Sequence, residues 1–279
     1  FEKTFPGVQT NRAVLPQLAE AVVASARELG TPLSSVAIGT SGLTDSENDP
    51  GRLLELCADA GTQALLLAHD SVTSYLGALG AREGVVVAAG TGVVTLGAGP
   101  RGMARVDGWG NIMGDAGSGY WMGREALDAV MRAFDGRGPQ TALTPVVQAR
   151  FPRLDQAYTV LQADPDRVRL VAGYARSVSE LAATDEVAAR ICRRAGEELA
   201  CSALAAVARA GLGAEAPICF VGSIFFSDAV RAACVAAIRG GMPGVQFVEP
   251  LSDGLGGAEA LLTLPDSHPL ASHVSRAGL

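Results

Sequence analysis

Charged and aromatic side chains are scarce in this chain of 279 residues. They account for 18 % and 5 % of the sequence, against 48 % for apolar residues. Such a composition supports a large buried core and excludes extended disorder. No apolar run approaches the roughly 18 residues that a membrane-spanning helix needs, and no signal-peptide pattern is present. We therefore expect a globular, cytoplasmic protein with no membrane partner.

Basic residues are also in the minority. The chain has 22 Lys and Arg against 29 Asp and Glu, which gives a net charge of −7. This balance argues against nucleic acid as a partner, because a polyanion would be repelled. An anionic ligand such as a nucleotide would have to be held locally, by backbone amides and a metal ion.

Metal-binding patterns are missing as well. The five cysteines contain no Cys-x-x-Cys spacing, and the three histidines form no cluster. Structural zinc is therefore not expected, and no metal-ligating residue is predicted. The odd number of cysteines fits a reduced, cytoplasmic setting.

The first part of the sequence alternates between strand and helix patterns. Apolar runs at 35–39 and 64–68 predict buried strands. Apolar periodicity predicts helices over 12–29, 51–60 and 71–79, the first capped by Asn11. This alternation predicts a parallel sheet flanked by helices.

The rest of the sequence begins with two strands around a tight turn. Apolar runs at 84–90 and 93–97 flank Gly90-Thr91-Gly92, which predicts a hairpin with exposed backbone amides. Beyond it we predict a mainly helical stretch (118–210), strands (218–221 and 245–248) and helices (227–239 and from 256). We place a boundary near residue 82, which gives domains 1–82 and 83–279, the second with a helical insertion.

Glycines are concentrated between residues 108 and 123. This stretch contains six glycines, one acid (Asp115) and both tryptophans of the chain, Trp109 and Trp121. Glycine tolerates positive φ and close backbone approach, so we interpret the stretch as a loop that surrounds a ligand. Ser118 is predicted to cap the helix that follows.

Asp70 follows an apolar strand and precedes a helix. Ligands bind at this edge of open α/β sheets, so Asp70 is a candidate catalytic carboxylate. It could equally cap the helix, since aspartate accepts hydrogen bonds from the first free amides. The residues alone leave both interpretations open.

Taken in order, Asp70, Gly90-Thr91-Gly92 and the stretch 108–123 resemble the N-acetylglucosamine kinase branch of the BadF/BadG/BcrA/BcrD ATPase family. The resemblance implies an α/β protein with two ribonuclease-H-like domains of the actin-like ATPase type around a cleft. It further implies that the protein uses ATP and Mg²⁺ to phosphorylate N-acetylglucosamine or glucosamine at the 6-hydroxyl. A homodimer is compatible with it.

The resemblance also assigns roles to individual residues. Asp70 would be the general base that takes the proton of the sugar hydroxyl. The other residues implied to bind the sugar are Asn11, Ser41, Gly108, Trp109, Gly110 and Asp115. Those implied to bind the nucleotide are Gly90, Thr91, Gly92, Gly222 and Ser223.

The sequence departs from the family pattern in two places. Ala116 stands where relatives carry an acid, and no Asp-Gly-Gly-Gly-Thr-type phosphate loop with its strand pair precedes Phe1. We expect that the natural chain has this additional hairpin, and that a protein starting at Phe1 would be inactive and poorly soluble. Two other hypotheses remain, an activating ATPase of the BadF type and a non-catalytic sugar sensor.

Overall fold

The computed structural model describes residues 2–9, 12–44 and 46–278. Asn11, predicted to cap a helix and to contact a sugar, lies outside these residues. The strands are β1 (Ser35–Thr40), β2 (Ala64–His69), β3 (Gly84–Ala89), β4 (Val93–Gly99), β5 (Gly102–Val106), β6 (Pro217–Val221), β7 (Gln246–Val248) and β8 (Val274–Ala277). The α-helices are α1 (Val14–Leu29), α2 (Pro50–Leu56), α3 (Asp70–Leu79), α4 (Gly110–Met113), α5 (Gly119–Phe134), α6 (Leu143–Arg150), α7 (Ala157–Ala163), α8 (Arg167–Leu181), α9 (Glu186–Ala210), α10 (Asp228–Gly241) and α11 (Gly254–Ala260).

Contacts divide the chain into two units, one of residues 1–82 and 250–279 and one of residues 83–249. The structure thus differs from the expected second domain, 83–279, because residues 250–279 group with the first unit. Strand β8 pairs with β2, and α11 packs against α3. Both contacts join distant parts of the chain, which local sequence patterns do not indicate.

The first unit is built on a sheet in the order β1-β2-β8. Strands β1 and β2 are parallel, and β8 joins β2 antiparallel. Apolar side chains from α1, α2 and β2 form one core, including Leu15, Leu18, Leu53, Leu65 and Leu67. Most of the predicted apolar stripe of the first helix is therefore buried, but Leu29 at its end is exposed.

The N-terminus of α1 is capped from a distant segment. Ala13 occupies the N-cap position and has no side chain that could accept a hydrogen bond. The Glu47 carboxylate accepts from the amides of Val14 (3.1 Å) and Leu15 (3.4 Å). Glu47 therefore caps α1 from a distant segment, and its negative charge suits the positive end of the helix dipole.

The second unit has a mixed sheet in the order β5-β4-β3-β6-β7. The strand pairs from β5 to β3 are antiparallel, and those from β3 to β7 are parallel, which is the ribonuclease-H-like arrangement. Helix α9 packs against β3, β4 and β5, close enough that a Cβ at Gly97 would lie 2.9 Å from the Ala206 carbonyl oxygen. The predicted α/β fold class is confirmed.

Two short strands, β5 and β8, were absent from the prediction. Strand β5 has one buried residue, Ala104, between half-buried ones, and β8 lies close to the end of the chain. Neither has an apolar run of its own. Their pairing partners, β4 and β2, decide their conformation.

Candidate functional site

The Gly90–Gly92 turn joins β3 to β4 and is tied to the start of α5. Its Gly90 amide donates to the Gly92 carbonyl (2.8 Å). The amides of Gly119 and Tyr120 donate to the carbonyls of Gly90 (2.8 Å) and Thr91 (3.0 Å). Because the Gly90 amide closes the turn, the predicted set of phosphate-facing amides is reduced to those of Thr91 and Gly92.

A cavity of about 710 Å³ lies beside this turn, within the second unit. It is lined by Gly90, Thr91 and Ser223, three of the residues predicted to bind a nucleotide. Sites for small molecules and cofactors typically span about 300–1,000 Å³. The structure therefore brings these three predicted residues together around a space of ligand size.

Gly222 supports the cavity without being part of its lining. Its φ is 103°, and a Cβ at this position would lie 2.2 Å from the Ala89 carbonyl oxygen. Only glycine allows β6 to end so close to β3. The next residue, Ser223, is exposed, begins the 3-10 turn Ser223–Phe226 and lines the cavity.

Sequence analysis missed the wall that helix α8 contributes. Arg169, Gly173, Arg176 and Glu180 line the cavity, and their spacing of three and four residues places them on one face of the helix. The Arg176 guanidinium donates to Glu180 (2.8 Å). A charged helix face usually faces solvent, so these charges did not indicate a binding site. The feature that could have indicated it is Gly173, a glycine inside a helical pattern.

Asp107 organises the glycine-rich loop, although it was not among the predicted site residues. Its carboxylate accepts from the amides of Gly108 (2.8 Å), Asp115 (2.8 Å) and Ala116 (3.0 Å). These charge-assisted bonds hold the two ends of the loop together. Ala116 contributes its backbone amide here, a contact that any residue with an N–H group could make.

Asp115 lies inside this loop and is 8 % exposed, with φ at 58°. Burial is the main reason that the pKa of Asp115 is raised above its usual range, and the nearby Asp107 raises it further. Hydrogen bonds from backbone amides lower this pKa in part. The carboxylate adjoins the phosphate turn, because a Cβ at Gly92 would lie 2.7 Å from its Oδ2 atom. Asp115 thus links the glycine-rich loop to the turn; its contact with a sugar stays a prediction.

Trp109 presents an exposed indole ring on the same loop. The ring is 57 % exposed, and the Arg105 guanidinium lies 5.2 Å from its centroid. Arg105 also donates to the Gly108 carbonyl, and Gly108 and Gly110 both have positive φ. An aromatic surface is therefore held at a defined place, which suits the predicted sugar wall without testing it.

Asp70 and Ser41 lie together at one edge of the first unit's sheet. Strands β1 and β2 are paired in the register Thr40 opposite His69, and Ser41 and Asp70 are the next residues. The capping interpretation of Asp70 is wrong, because the N-cap is His69, whose Nδ1 atom accepts from the Ser71 amide (3.2 Å).

The Asp70 carboxylate contacts the same imidazole. Its Oδ1 atom lies 2.7 Å from Nδ1 of His69, and 48 % of the Asp70 side chain is exposed. One ring nitrogen cannot accept from the Ser71 amide and donate to Asp70 at the same time. The position of the His69 proton therefore decides whether the imidazole caps α3 or pairs with Asp70.

The described residues contain neither a membrane-spanning helix nor a cluster of metal ligands. No helix there is long and apolar enough to cross a membrane. No three His, Cys, Asp or Glu side chains there are grouped so that they could hold a metal ion.

The sequence model of the BadF/BadG/BcrA/BcrD ATPase family matches residues 4–262. The chain belongs to this family. Among solved structures, this family member is similar to a protein assigned as an N-acetylglucosamine kinase from Chromobacterium violaceum, with a TM-score of 0.66 and 26 % identity over 90 % of this chain and 87 % of that one. A protein from Porphyromonas gingivalis with the same assignment has a TM-score of 0.65 at 19 % identity over 87 % and 81 % of the chains, which shows the shared fold.

Curated relatives match over shorter segments. The N-acetylmuramic acid/N-acetylglucosamine kinase of Clostridium acetobutylicum is 34 % identical over 139 residues, which cover 48 % of this chain and 45 % of that protein. The N-acetyl-D-glucosamine kinase of Dictyostelium discoideum is 35 % identical over 121 residues, 41 % and 37 % of the two chains. The matches thus span less than half the length of these relatives.

Proposed function

We propose that this family member transfers the γ-phosphoryl group of ATP to the 6-hydroxyl of an amino sugar, N-acetylglucosamine or glucosamine. One observation carries the proposal: the ligand-sized cavity and the Asp115 loop meet at the Gly90–Gly92 turn. A phosphate resting on that turn would have a nucleoside site on one side and a second binding loop on the other. The names of the two curated relatives support the choice of an amino sugar.

The nucleotide is proposed to occupy the cavity. Its triphosphate would lie against Thr91 and Gly92, and its adenosine towards Ser223. Gly222 allows the end of β6, just before Ser223, to approach β3 closely. Mg²⁺ usually binds through substrate phosphates and one or two carboxylates, so this chemistry does not require a site made wholly of protein ligands. The metal would enter with ATP and neutralise charge on the transferred group.

The sugar is proposed to contact the predicted catalytic and sugar-binding residues. Asp70 would accept the proton of the attacking hydroxyl, a role that its half-exposed carboxylate permits. The proposed sugar-binding residues are Asn11, Ser41, Gly108, Trp109, Gly110 and Asp115. The rate would come mainly from positioning the hydroxyl and from charge stabilisation, as in other phosphoryl transfers.

A sugar panel tests the activity. Protein with MgATP should release ADP only when an amino sugar is present, and the product should carry phosphorus coupling at C6 by NMR. The 6-deoxy analogue is the matched control and should give no turnover. Equal ATP loss with and without sugar would contradict the proposal and favour an activating ATPase. Sugar binding with no ATP consumption would favour a sugar sensor.

A further inference from the structure

We propose that the nucleoside half of the ligand packs directly on the backbone of helix α8 at Gly173, and that Gly173 is a specific binding residue of the cavity. The inference rests on the proposed use of ATP. It adds a residue that neither the glycine motifs nor the strand ends indicated.

Gly173 is placed where glycine is unfavourable for the helix. It lies in the interior of α8, eight residues before the last one, and its φ is not positive. Glycine inside a helix loses more conformational entropy on folding than alanine does, so it weakens the helix. A glycine at such a position therefore needs another reason.

Protein packing does not provide that reason. A Cβ at Gly173 would meet no atom within 4 Å beyond its chain neighbours and the backbone of its own helix. The contrast is Gly123 on helix α5, where a Cβ would lie 1.8 Å from the Val171 carbonyl oxygen. The close packing of α5 and α8 explains Gly123, whereas the space in front of Gly173 belongs to the cavity.

The position of Gly173 along the cavity matches the start of a nucleoside. The neighbouring Ala172 carbonyl lies 3.4 Å from a Cβ built on Gly119, whose amide donates to Gly90 in the phosphate turn. From Gly173 the cavity follows α8 to Glu180, about 10 Å further at 1.5 Å per residue. A ribose and base that extend from phosphates on the turn would run along this face.

The opposite wall supplies an apolar surface. Ile224 and Phe226 line the cavity from the 3-10 turn, and Phe226 is 87 % exposed. An aromatic ring with so little protein contact is suited to stack on a planar base. The nucleoside would thus lie between the Phe226 side of the cavity and the bare backbone of α8.

Three variants of the whole protein test this inference, with ATP affinity measured by calorimetry and stability by melting temperature. Gly173→Ala should raise the melting temperature, because alanine favours the helix, and should weaken ATP binding. Gly173→Leu should weaken ATP binding at least tenfold. The matched control is Gly240→Ala in α10, another helix glycine with no protein atom within 4 Å of a Cβ. It should raise the melting temperature and leave ATP affinity unchanged.

The two proposals fail at different steps. If the unmodified protein does not bind ATP, the proposed use of ATP is wrong, and this inference falls with it. If the unmodified protein binds ATP and Gly173→Leu binds it equally well, only the inference about Gly173 is wrong. Should Gly173→Leu not fold, an unchanged affinity in Gly173→Ala overturns the inference.

Discussion

Asp70 and Asp115 carry the same carboxylate in opposite surroundings. Asp70 is half exposed and contacts His69, whereas Asp115 is buried and adjoins the phosphate turn. A half-exposed carboxylate is accessible to a bound hydroxyl and can accept its proton. A buried carboxylate that accepts backbone hydrogen bonds is better suited to hold two loops in place.

The first prediction concerns Asp70. Asp70→Asn should fold as the unmodified protein does, because asparagine keeps the shape of the side chain and the N-cap position of α3 belongs to His69. If Asp70 is the general base, turnover should fall by about 10² to 10⁴ while sugar affinity is retained. The control is Asp59→Asn, since Asp59 is an exposed acid of the same unit. This variant should keep the stability, the turnover and the sugar affinity of the unmodified protein. Near-normal turnover in Asp70→Asn would remove the catalytic assignment.

The second prediction uses the raised pKa of Asp115. Its folded pKa is above the ordinary value, so the folded protein holds this proton more tightly than the unfolded chain does. The contribution of Asp115 to stability should therefore decrease as pH rises from about 4 through the raised folded pKa. In urea unfolding across this range, Asp115→Asn should gain stability relative to the unmodified protein as pH rises. If the stability difference between Asp115→Asn and the unmodified protein does not change with pH, this prediction is wrong.

At the scale of elements, helix α9 depends on one carboxylate at its start. Asp185 accepts from the amides of Ala188 (2.8 Å) and Ala142 (2.7 Å) and from the Thr141 hydroxyl (3.1 Å). Burial is the largest single influence on its pKa and acts upward, but these hydrogen bonds together outweigh it and lower the pKa. One side chain thus caps α9 and fixes the segment that leads into α6.

The third prediction is that Asp185→Ala lowers the free energy of unfolding by about 1–2 kcal/mol at pH 7. Because the folded pKa is depressed, the contribution of Asp185 is present above the ordinary value of about 4. It is lost as pH falls through the folded pKa. The control is Asp166→Ala, since Asp166 occupies the N-cap of α8 without a capping hydrogen bond. Equal losses in both variants, by urea unfolding, would rule out the capping explanation.

At the scale of the whole molecule, the two units are continuous to different degrees. Residues 83–249 form one unit from a single stretch, whereas the other unit needs residues 250–279 in addition to 1–82. The end of the chain supplies β8 to the edge of β2 and α11 to the face of α3. Loss of residues 250–279 should therefore destabilise the unit that contains residues 1–82 more than the unit of residues 83–249.

The fourth prediction follows from that division. A chain ending at Glu249 should lose amide protection in β2, because its edge is unpaired without β8. Protection in β3 should be retained, since its neighbours β4 and β6 lie within the second unit. Hydrogen exchange on the truncated and full chains measures both. Equal loss of protection in β2 and β3 would show that the two units do not fold separately.

The sequence predicted those parts of the protein that local chemistry decides. Continuous apolar runs predicted β2 and β3, and a long helical pattern ending at residue 210 predicted α9, because each buries its own side chains along a continuous segment. Ser118 caps α5, as its position before the helix predicted, and accepts from the Trp121 amide (3.2 Å). Gly222 lies where the backbone of β6 approaches β3 closely, and three of the predicted nucleotide residues line one cavity.

Tertiary structure decided the features that need a distant partner. Glu47 caps α1, β8 pairs with β2, and α8 lines a cavity together with the Gly90–Gly92 turn and the 3-10 turn Ser223–Phe226. Each of these contacts joins residues far apart in sequence, and such contacts leave no periodic or turn signal in either segment. Local sequence therefore determined most of the elements and the chemistry available to them, while packing determined β5, β8 and which side chains share a site.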